Sequence, residues 1–172
     1  MAQKRSPVRS STISKINSTV SNYQLHYPKS KIGMNHYQQL LKIQTTGKSL
    51  HKITSKVQAV VAESGVDIGL CTVFLRHTSA SLVIQENADP DVLRDLENFL
   101  AKIVPEDGKS YIHDAEGPDD MPAHIRTALT QTSEQIPIAH GKLLLGTWQG
   151  IYLWEHRQRS HIREIIIHIS GS

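Results

Sequence analysis

The sequence predicts an α+β domain, and three observations support this fold class. Some short segments alternate apolar and polar residues with the two-residue period of strands, while others repeat apolar residues at helical spacing. Short turns connect these segments. The 172 residues, 38% hydrophobic and 20% charged, fit one globular domain with some excess length. No apolar run approaches the roughly 18 residues of a membrane span, so we expect no membrane contact.

Residues 1–33 differ in composition from the rest of the chain. They contain six basic residues, seven serines and no acidic residue. Because such a segment has little apolar surface to bury, we expect a disordered tail before a folded domain of residues 34–172. The tail resembles an organelle transit peptide, and the alternative is an extension upstream of a true start at Met34. We therefore expect a cytoplasmic protein, or one of an organelle stroma or matrix if the tail is a transit peptide.

The net charge of +3 is unevenly distributed along the chain. Residues 34–172 hold 13 basic residues and all 16 acidic residues, which leaves a net charge of −3 on the predicted domain. No basic helix or stripe stands out there, and binding through counterion release needs clustered cations. The sequence therefore argues against a nucleic-acid partner.

The first predicted elements of the domain are a strand and a helix. Alternating apolar and polar residues predict a strand over Tyr37–Thr46. Apolar residues then recur at helical spacing, with Thr54 or Ser55 as the predicted cap. Gly65 lies where a left-handed residue would end this helix.

Two strands and a second helix follow. The strands are predicted over Gly69–His77 and Ser81–Asn87, and Cys71 in the first of them is expected to be buried and inert. Asp89 is a predicted helix cap with Pro90 as the first helical residue. The predicted buried stripe of this helix consists of Val92, Leu93, Leu96, Leu100 and Ile103.

The last third of the chain is a loop, a short helix and four strands. Glu106–Asp120 is rich in Asp, Glu, Gly and Pro and predicts an irregular segment. Pro122 is predicted to open the short helix. The predicted strands are Gln135–Ile138, Lys142–Trp148, Ile151–Arg157 and Ile162–Ile169.

The acidic loop is a candidate metal site. It is long for a compact domain, and His113 and His124 lie near its two ends. Placed as the third residue of its helix, His124 would favour the neutral imidazole, which is the form that binds metals. Two imidazoles with carboxylates suit Zn²⁺, and carboxylates alone suit Mg²⁺. The alternative is an ordinary solvated loop.

Three other segments offer binding chemistry. His77 precedes the hydroxyl-rich residues Thr78 and Ser79, which suits phosphate binding or acid–base catalysis, or a strand-end histidine bonded to local backbone. Arginines around His156 could hold phosphate bidentately, or simply lie on a solvated hairpin tip. Glycines flank Thr147, Trp148 and Gln149, which suits a stacking pocket or a core tryptophan beside a turn.

Four motifs in order give the chain a specific family resemblance. From Met34 to Gly171 it resembles the YjbQ family, also called the secondary thiamine-phosphate synthase family. The motifs that carry the resemblance are His77-Thr78-Ser79-Ala80-Ser81-Leu82, Glu86-Asn87-Ala88-Asp89-Pro90-Asp91, the run from His113 to Ile125, and Gly146-Thr147-Trp148-Gln149-Gly150 with Glu155-His156-Arg157.

The resemblance implies two packed, mostly antiparallel β-sheets with a few helices, assembled as a homotrimer. It also implies a divalent-metal site, with His77, His113 and His124 as the ligands. Members of the family show thiamine-phosphate synthase activity, thought to be a side activity, in which a thiazole phosphate displaces diphosphate from a pyrimidine-methyl diphosphate.

We therefore expect a metal-dependent enzyme for small phosphorylated or heteroaromatic substrates. The alternatives are a trimeric metal- or ligand-binding protein and a hydrolase of a phosphorylated metabolite, in which Glu116 or Asp119 would activate water. The predicted catalytic residues are Glu116, Asp119 and Ser79. The predicted substrate-binding residues are Thr78, Glu86, Asn87, Thr147, Trp148, Gln149, Arg157 and Arg163.

Overall fold

The α+β class is confirmed by a computed structural model that describes residues 33–172. Within that range the chain forms eight strands in two antiparallel sheets, together with three helices. The predictions for residues 1–32 lie outside the described residues. The strands are β1 (Asn35–Gln44), β2 (Ser49–Lys52), β3 (Gly69–Leu75), β4 (Ala80–Glu86), β5 (Ser133–Ala139), β6 (Lys142–Leu143), β7 (Gln149–Glu155) and β8 (Ile162–Gly171), and the helices are α1 (Thr54–Ser64), α2 (Pro90–Ile103) and α3 (Asp120–Leu129).

The first sheet has the strand order β1-β8-β3-β5-β6. Its second strand, β8, pairs antiparallel with both β1 and β3, and Val73 of β3 lies opposite Ile167. Alternate residues of β8, namely Ile165, Ile167 and Ile169, have no exposed surface. The two-residue alternation in the sequence thus corresponds to one buried face of this sheet.

The second sheet has the order β2-β7-β4 and shares one apolar core with the first. Ile151 and Leu153 of β7 are fully buried in that core. Helix α1 closes the core with Val57 and Val61, which are also fully buried. Tyr152 and Trp154 alternate with the core residues of β7 and therefore belong to its other face.

The helix ends test the capping predictions. Gly65 ends α1 with φ of 68°, as predicted, but Thr54 does not cap the helix: its Oγ1 accepts a hydrogen bond from the Ile151 amide. Asp89 caps α2 by accepting the Asp91 amide at 2.9 Å, which confirms the prediction. The helices described between residues 33 and 172 include none that is long and apolar enough to cross a bilayer.

Some predictions on elements were wrong. Of the predicted α2 stripe only Leu100 is buried, and Ile103 is 50% exposed, because α2 lies against the second sheet along only part of its length. Strand β2 was missed. The predicted strand Lys142–Trp148 shrinks to two residues because the chain turns at Gly146, whose carbonyl accepts the Gln149 amide at 2.9 Å.

Candidate metal centre

Two histidines and an aspartate meet at the start of α3. Asp120 and His124 are four residues apart on this helix and therefore lie on the same side of it. His113 comes from the preceding loop, and its Nε2 lies 2.8 Å from Asp120 Oδ2, while His124 Nε2 lies 3.5 Å from the same oxygen. One ligand atom from each residue lies within 4.8 Å of the others. The geometry thus offers two nitrogen ligands and one oxygen ligand to a single ion.

A backbone carbonyl orients the His124 ring. The Nδ1 atom of His124 lies 2.9 Å from the Thr78 carbonyl oxygen, which can only accept a hydrogen bond. The proton of a neutral ring therefore lies on Nδ1, and Nε2 carries the lone pair that faces Asp120. Metal-binding histidines usually have such a second partner. Helix α3 begins two residues earlier than predicted, so His124 is its fifth residue and not its third.

Arg157 holds the two aspartates that precede α3. Its Nη1 contacts Asp120 Oδ1, its Nε lies 3.0 Å from Asp119 Oδ2, and its Nη2 donates to the Glu116 carbonyl at 2.9 Å. Burial raises the pKa of Asp119, but bonds from the Gln158 amide and Arg157 outweigh it and leave that pKa below its usual range. Two buried carboxylates with one guanidinium leave one net negative charge, which favours a cation beside Asp120.

Arg163 forms a second buried ion pair nearby. Its Nε lies 2.7 Å and its Nη2 2.5 Å from the two carboxylate oxygens of Glu155. Its Nη1 donates to Ser79 Oγ at 3.2 Å. Burial raises the pKa of Glu155, but bonds from Arg163 and the Arg157 amide outweigh it and lower that pKa. A phosphate would have to replace these carboxylates to reach Arg157 or Arg163, so their predicted phosphate contacts stay predictions.

His77 lies outside the three-residue cluster. Its Nε2 accepts the Glu164 amide at 2.8 Å, and its Nδ1 lies 3.5 Å from Arg163 Nη1. Burial, followed by the charge of Arg163, lowers the pKa of His77 and favours the neutral ring, in which Nε2 accepts the Glu164 amide and the proton lies on Nδ1. In this position His77 connects β8 to the chain after β3, and it is not one of the three residues whose ligand atoms converge.

The other predicted substrate residues lie together at the far end of the second sheet. Asn87 Nδ2 donates to the Gln149 carbonyl at 3.0 Å and lies 3.3 Å from the Thr147 carbonyl. Trp148 is 64% exposed. Strand β4 begins at Ala80, two residues after Thr78, whose carbonyl contacts His124 of the metal cluster, and it ends at Glu86 in this group. The seven residues of the strand span about 20 Å, which is the length of strand between the cluster and the group. The members of the group are Glu86, Asn87, Thr147, Trp148 and Gln149.

Glu116 and Asp119, two of the predicted catalytic residues, differ in the exposure of their carboxylates. Glu116 has a largely exposed side chain with its Oε2 3.8 Å from Arg157 Nη1. The Asp119 carboxylate is buried and accepts from Arg157 and the Gln158 amide. Of the two, Glu116 is the one whose carboxylate is free to approach a substrate.

Asp120 is the site residue that sequence reasoning missed. The signal was present as the spacing Asp-x-x-x-His, which aligns both side chains on one helical turn. A helix that begins at Pro122, as the sequence predicts, leaves Asp120 in the loop and hides this alignment. The helix extends two residues further toward the N-terminus, so Pro122 lies in its first turn and removes no hydrogen bond.

The donor set favours a transition-metal ion. Two imidazole nitrogens and one carboxylate oxygen match the ligands of Zn²⁺ in sites that keep an open position. Mg²⁺ prefers an all-oxygen environment, which this cluster does not provide. The residues present therefore fit a borderline-soft divalent ion such as Zn²⁺ better than Mg²⁺.

Known proteins are similar to this chain in sequence over most of its length. The chain is 69% identical over 135 residues to the UPF0047 protein sll1880 of Synechocystis sp., covering 78% of this chain and 92% of that protein. It is 42% identical over 136 residues to the UPF0047 protein YjbQ of Escherichia coli O157:H7, covering 78% of this chain and 98% of that protein.

Solved structures show the same architecture. A YbjQ-like protein of unknown function from Sulfolobus solfataricus P2 superposes with a TM-score of 0.75 at 26% identity, covering 81% of this chain and all of that one. An uncharacterised conserved protein from Clostridium acetobutylicum gives a TM-score of 0.68 at 42% identity, with 77% and 98% covered. Residues 39–172 match the family described as UPF0047 protein YjbQ-like. The chain therefore belongs to the UPF0047 (YjbQ-like) family.

Proposed function

We propose that this chain is a metal-dependent enzyme acting on small phosphorylated or heteroaromatic substrates, with thiamine-phosphate synthase as a secondary activity. The observation that carries the metal part is the convergence of His113, Asp120 and His124 within 4.8 Å. The activity follows from the family resemblance together with the chemistry of the reaction. In that reaction the thiazole nitrogen attacks the methylene carbon of the pyrimidine, and the bond from that carbon to the diphosphate oxygen breaks.

The three residues would hold a divalent ion that supplies positive charge to the diphosphate leaving group. The Thr78 carbonyl keeps the proton of His124 on Nδ1, and Arg157 fixes Asp120 through its other oxygen. These contacts reduce the number of arrangements that the ligands can adopt before an ion arrives. Glu116, exposed at the rim of the site, is the carboxylate that can accept a hydrogen bond or proton from a bound substrate.

The proposal includes assembly as a homotrimer. Trp148, the predicted stacking surface, lies about 20 Å of strand away from the metal cluster of its own chain. A site containing both therefore requires the Trp148 segment of a neighbouring subunit. The high exposure of this indole in the single chain is compatible with such a contact.

Metal titration tests the proposal directly. We expect isothermal titration of the full chain to give one Zn²⁺ per subunit and much weaker binding of Mg²⁺. His113→Ala and His124→Ala should each weaken Zn²⁺ binding by at least about tenfold, since each removes a ligand. His77→Ala should retain the ion because His77 lies outside the cluster, and His36→Ala serves as a matched control for removing an exposed histidine. Circular dichroism checks that all four variants fold.

The enzyme part has its own assay. The metal-loaded chain should form thiamine phosphate from the two precursors, and the His113→Ala, His124→Ala double variant should not. Stoichiometric Zn²⁺ in the double variant would refute the metal site. Tight Zn²⁺ binding by the wild-type chain without turnover would refute the enzyme and leave a metal-binding protein.

A further inference from the structure

A cavity lies between α2 and the outer face of the second sheet, and none of the three residues of the metal cluster lines it. Its volume is about 400 Å³, within the range of small-molecule pockets. Apolar surface comes from Leu100, Ala101 and Trp154, and Trp154 lies with its ring centroid 5.4 Å from that of His156. The cavity therefore has a flat aromatic wall on the strand side and a helix on the other.

One wall of this cavity carries a buried guanidinium with an unused donor. Arg126 is 6% exposed, its Nη1 lies 2.8 Å from Glu106, and its Nη2 donates to the Val104 carbonyl at 3.0 Å. Its Nε has no hydrogen-bond partner among residues 33–172. A buried N–H without an acceptor is unfavourable, so this atom favours an acceptor supplied from the cavity.

The charges on that wall do not balance. Glu106 accepts from Lys48, Arg126 and Gln158, so one carboxylate faces two cations. The carboxylate of Glu155 also lines the cavity but is paired with Arg163. His156 adds no charge, because burial and the neighbouring Arg126 lower its pKa to about 3. The wall formed by Lys48, Arg126 and Glu106 therefore carries a net positive charge.

The opposite wall carries an unused acceptor. Glu97 of α2 lines the cavity, and its Oε1 is buried without a hydrogen-bond partner among residues 33–172. Burial raises the pKa of this carboxyl group. An N–H donor placed in the cavity would satisfy Glu97 Oε1, and an acceptor placed there would satisfy Arg126 Nε.

We propose that this cavity binds a small planar nitrogen heterocycle with an anionic oxygen at one edge and an N–H donor at the other. The anionic edge meets Arg126 and Lys48, the N–H edge meets Glu97, and the ring packs against Trp154. This site stands apart from the proposed metal-dependent activity, because none of its residues belongs to the metal cluster.

The two tryptophans of the chain provide the readout. Trp154 is 5% exposed and lines the cavity, whereas Trp148 is 64% exposed and lies elsewhere. We would titrate the ¹⁵N-labelled full chain with orotate, a planar pyrimidine that carries a carboxylate and N–H groups, after assigning the indole signals with Trp148→Phe. We expect the Trp154 indole signal to shift with saturation by about 1–10 mM orotate while the Trp148 signal stays in place. Benzoate, which lacks the N–H edge, should bind at least about tenfold more weakly.

A matched pair of helix variants tests the contact with Glu97. Glu97→Leu removes no hydrogen bond within residues 33–172, so we expect it to fold and to weaken orotate binding by at least about tenfold. Asp95→Leu makes the same kind of change on the same helix outside this cavity and should leave binding unchanged. Absence of a Trp154 shift, equal shifts of both indoles, or wild-type affinity in Glu97→Leu would each overturn the proposal.

Discussion

Replacing Arg163 by methionine tests whether this arginine holds the fold or serves a ligand. In the structure its guanidinium makes two parallel hydrogen bonds to Glu155, at 2.7 and 2.5 Å. The side chains of Arg163 and Glu155 are 4% and 0% exposed. Arg163→Met keeps most of the side-chain length and leaves the Glu155 carboxylate buried without its cation.

The expected loss is large because both charges are buried. Breaking a buried ion pair from one side costs about 3–5 kcal/mol, since the remaining charge is uncompensated. Glu155→Gln should lose a comparable amount by leaving Arg163 unpaired. The double variant Glu155→Gln, Arg163→Met contains neither buried charge, so its loss should be clearly smaller than the sum of the single losses.

The pH dependence gives a second signature. In the wild-type chain the pKa of Glu155 is lowered, so its contribution to stability is present above the ordinary carboxyl pKa and is lost as pH falls through the folded value. In Arg163→Met burial acts without Arg163 and raises the folded pKa of Glu155. The folded variant then holds a proton that the unfolded chain releases, so the loss of stability grows as pH rises. The difference between variant and wild type should therefore be larger at pH 8 than at pH 5.

Urea unfolding followed by circular dichroism at these two pH values measures all four free energies of the cycle. A loss below about 1 kcal/mol for Arg163→Met, the range of exposed pairs, would refute the structural role. So would a loss that does not change between pH 5 and pH 8. Either result would leave phosphate binding as the remaining predicted role of Arg163.

Three further predictions follow from buried groups. Burial and Arg126 lower the pKa of His156 to about 3, so the folded ring stays neutral at pH values where the unfolded ring takes up a proton. This group should therefore lower the free energy of unfolding by about 2 kcal/mol between pH 7 and pH 5. His156→Gln should flatten the dependence of urea unfolding on pH. A Cβ on Gly69 would overlap the Ser170 carbonyl, so Gly69→Ala should lower the free energy of unfolding in urea by about 1–3 kcal/mol. A Cβ on Gly33 would meet no other atom of residues 33–172 within 4 Å, so Gly33→Ala should lose little. Burial raises the pKa of the Cys71 thiol to about 12, so a thiol-specific dye should react with it only after unfolding.

The strands and helices that the sequence predicted well are those with strong local signals. Five of the ten residues of β8 are isoleucine, a β-branched residue that favours strands, and α2 opens with the Asp89 cap and Pro90. β2 has only four residues, Ser49–Lys52, without clear alternation. Its strand conformation comes from pairing with β7, about a hundred residues later in the chain, and no local pattern encodes such a partner.

The residues of the candidate site also differ in how clearly the sequence indicates them. The sequence indicates His113 and His124 because they lie near the two ends of a long acidic loop and His124 falls near a helix start, and the structure places them in one cluster. Asp120 was hidden among six acidic residues of the same loop, and only the true start of α3 aligns it with His124. The start of α3 at Asp120, two residues before the predicted start, therefore decides that this carboxylate lies beside the two histidines.

The arginines show why residue type alone does not assign a role. A guanidinium suits a phosphate and a carboxylate equally well, so Arg157 was predicted to bind substrate. Its partners Asp119 and Asp120 lie 38 and 37 residues earlier in the chain, and only the fold brings them within reach. In the folded chain Arg157 orients Asp120 toward the histidines, and its amide bonds to Glu155, which pairs with Arg163 of β8. Asp120 is therefore connected to the first sheet through two buried ion pairs that the Arg157 amide joins. If the cluster holds Zn²⁺ as proposed, Arg163→Met in β8 should weaken Zn²⁺ binding in isothermal titration although Arg163 is not one of the three cluster residues.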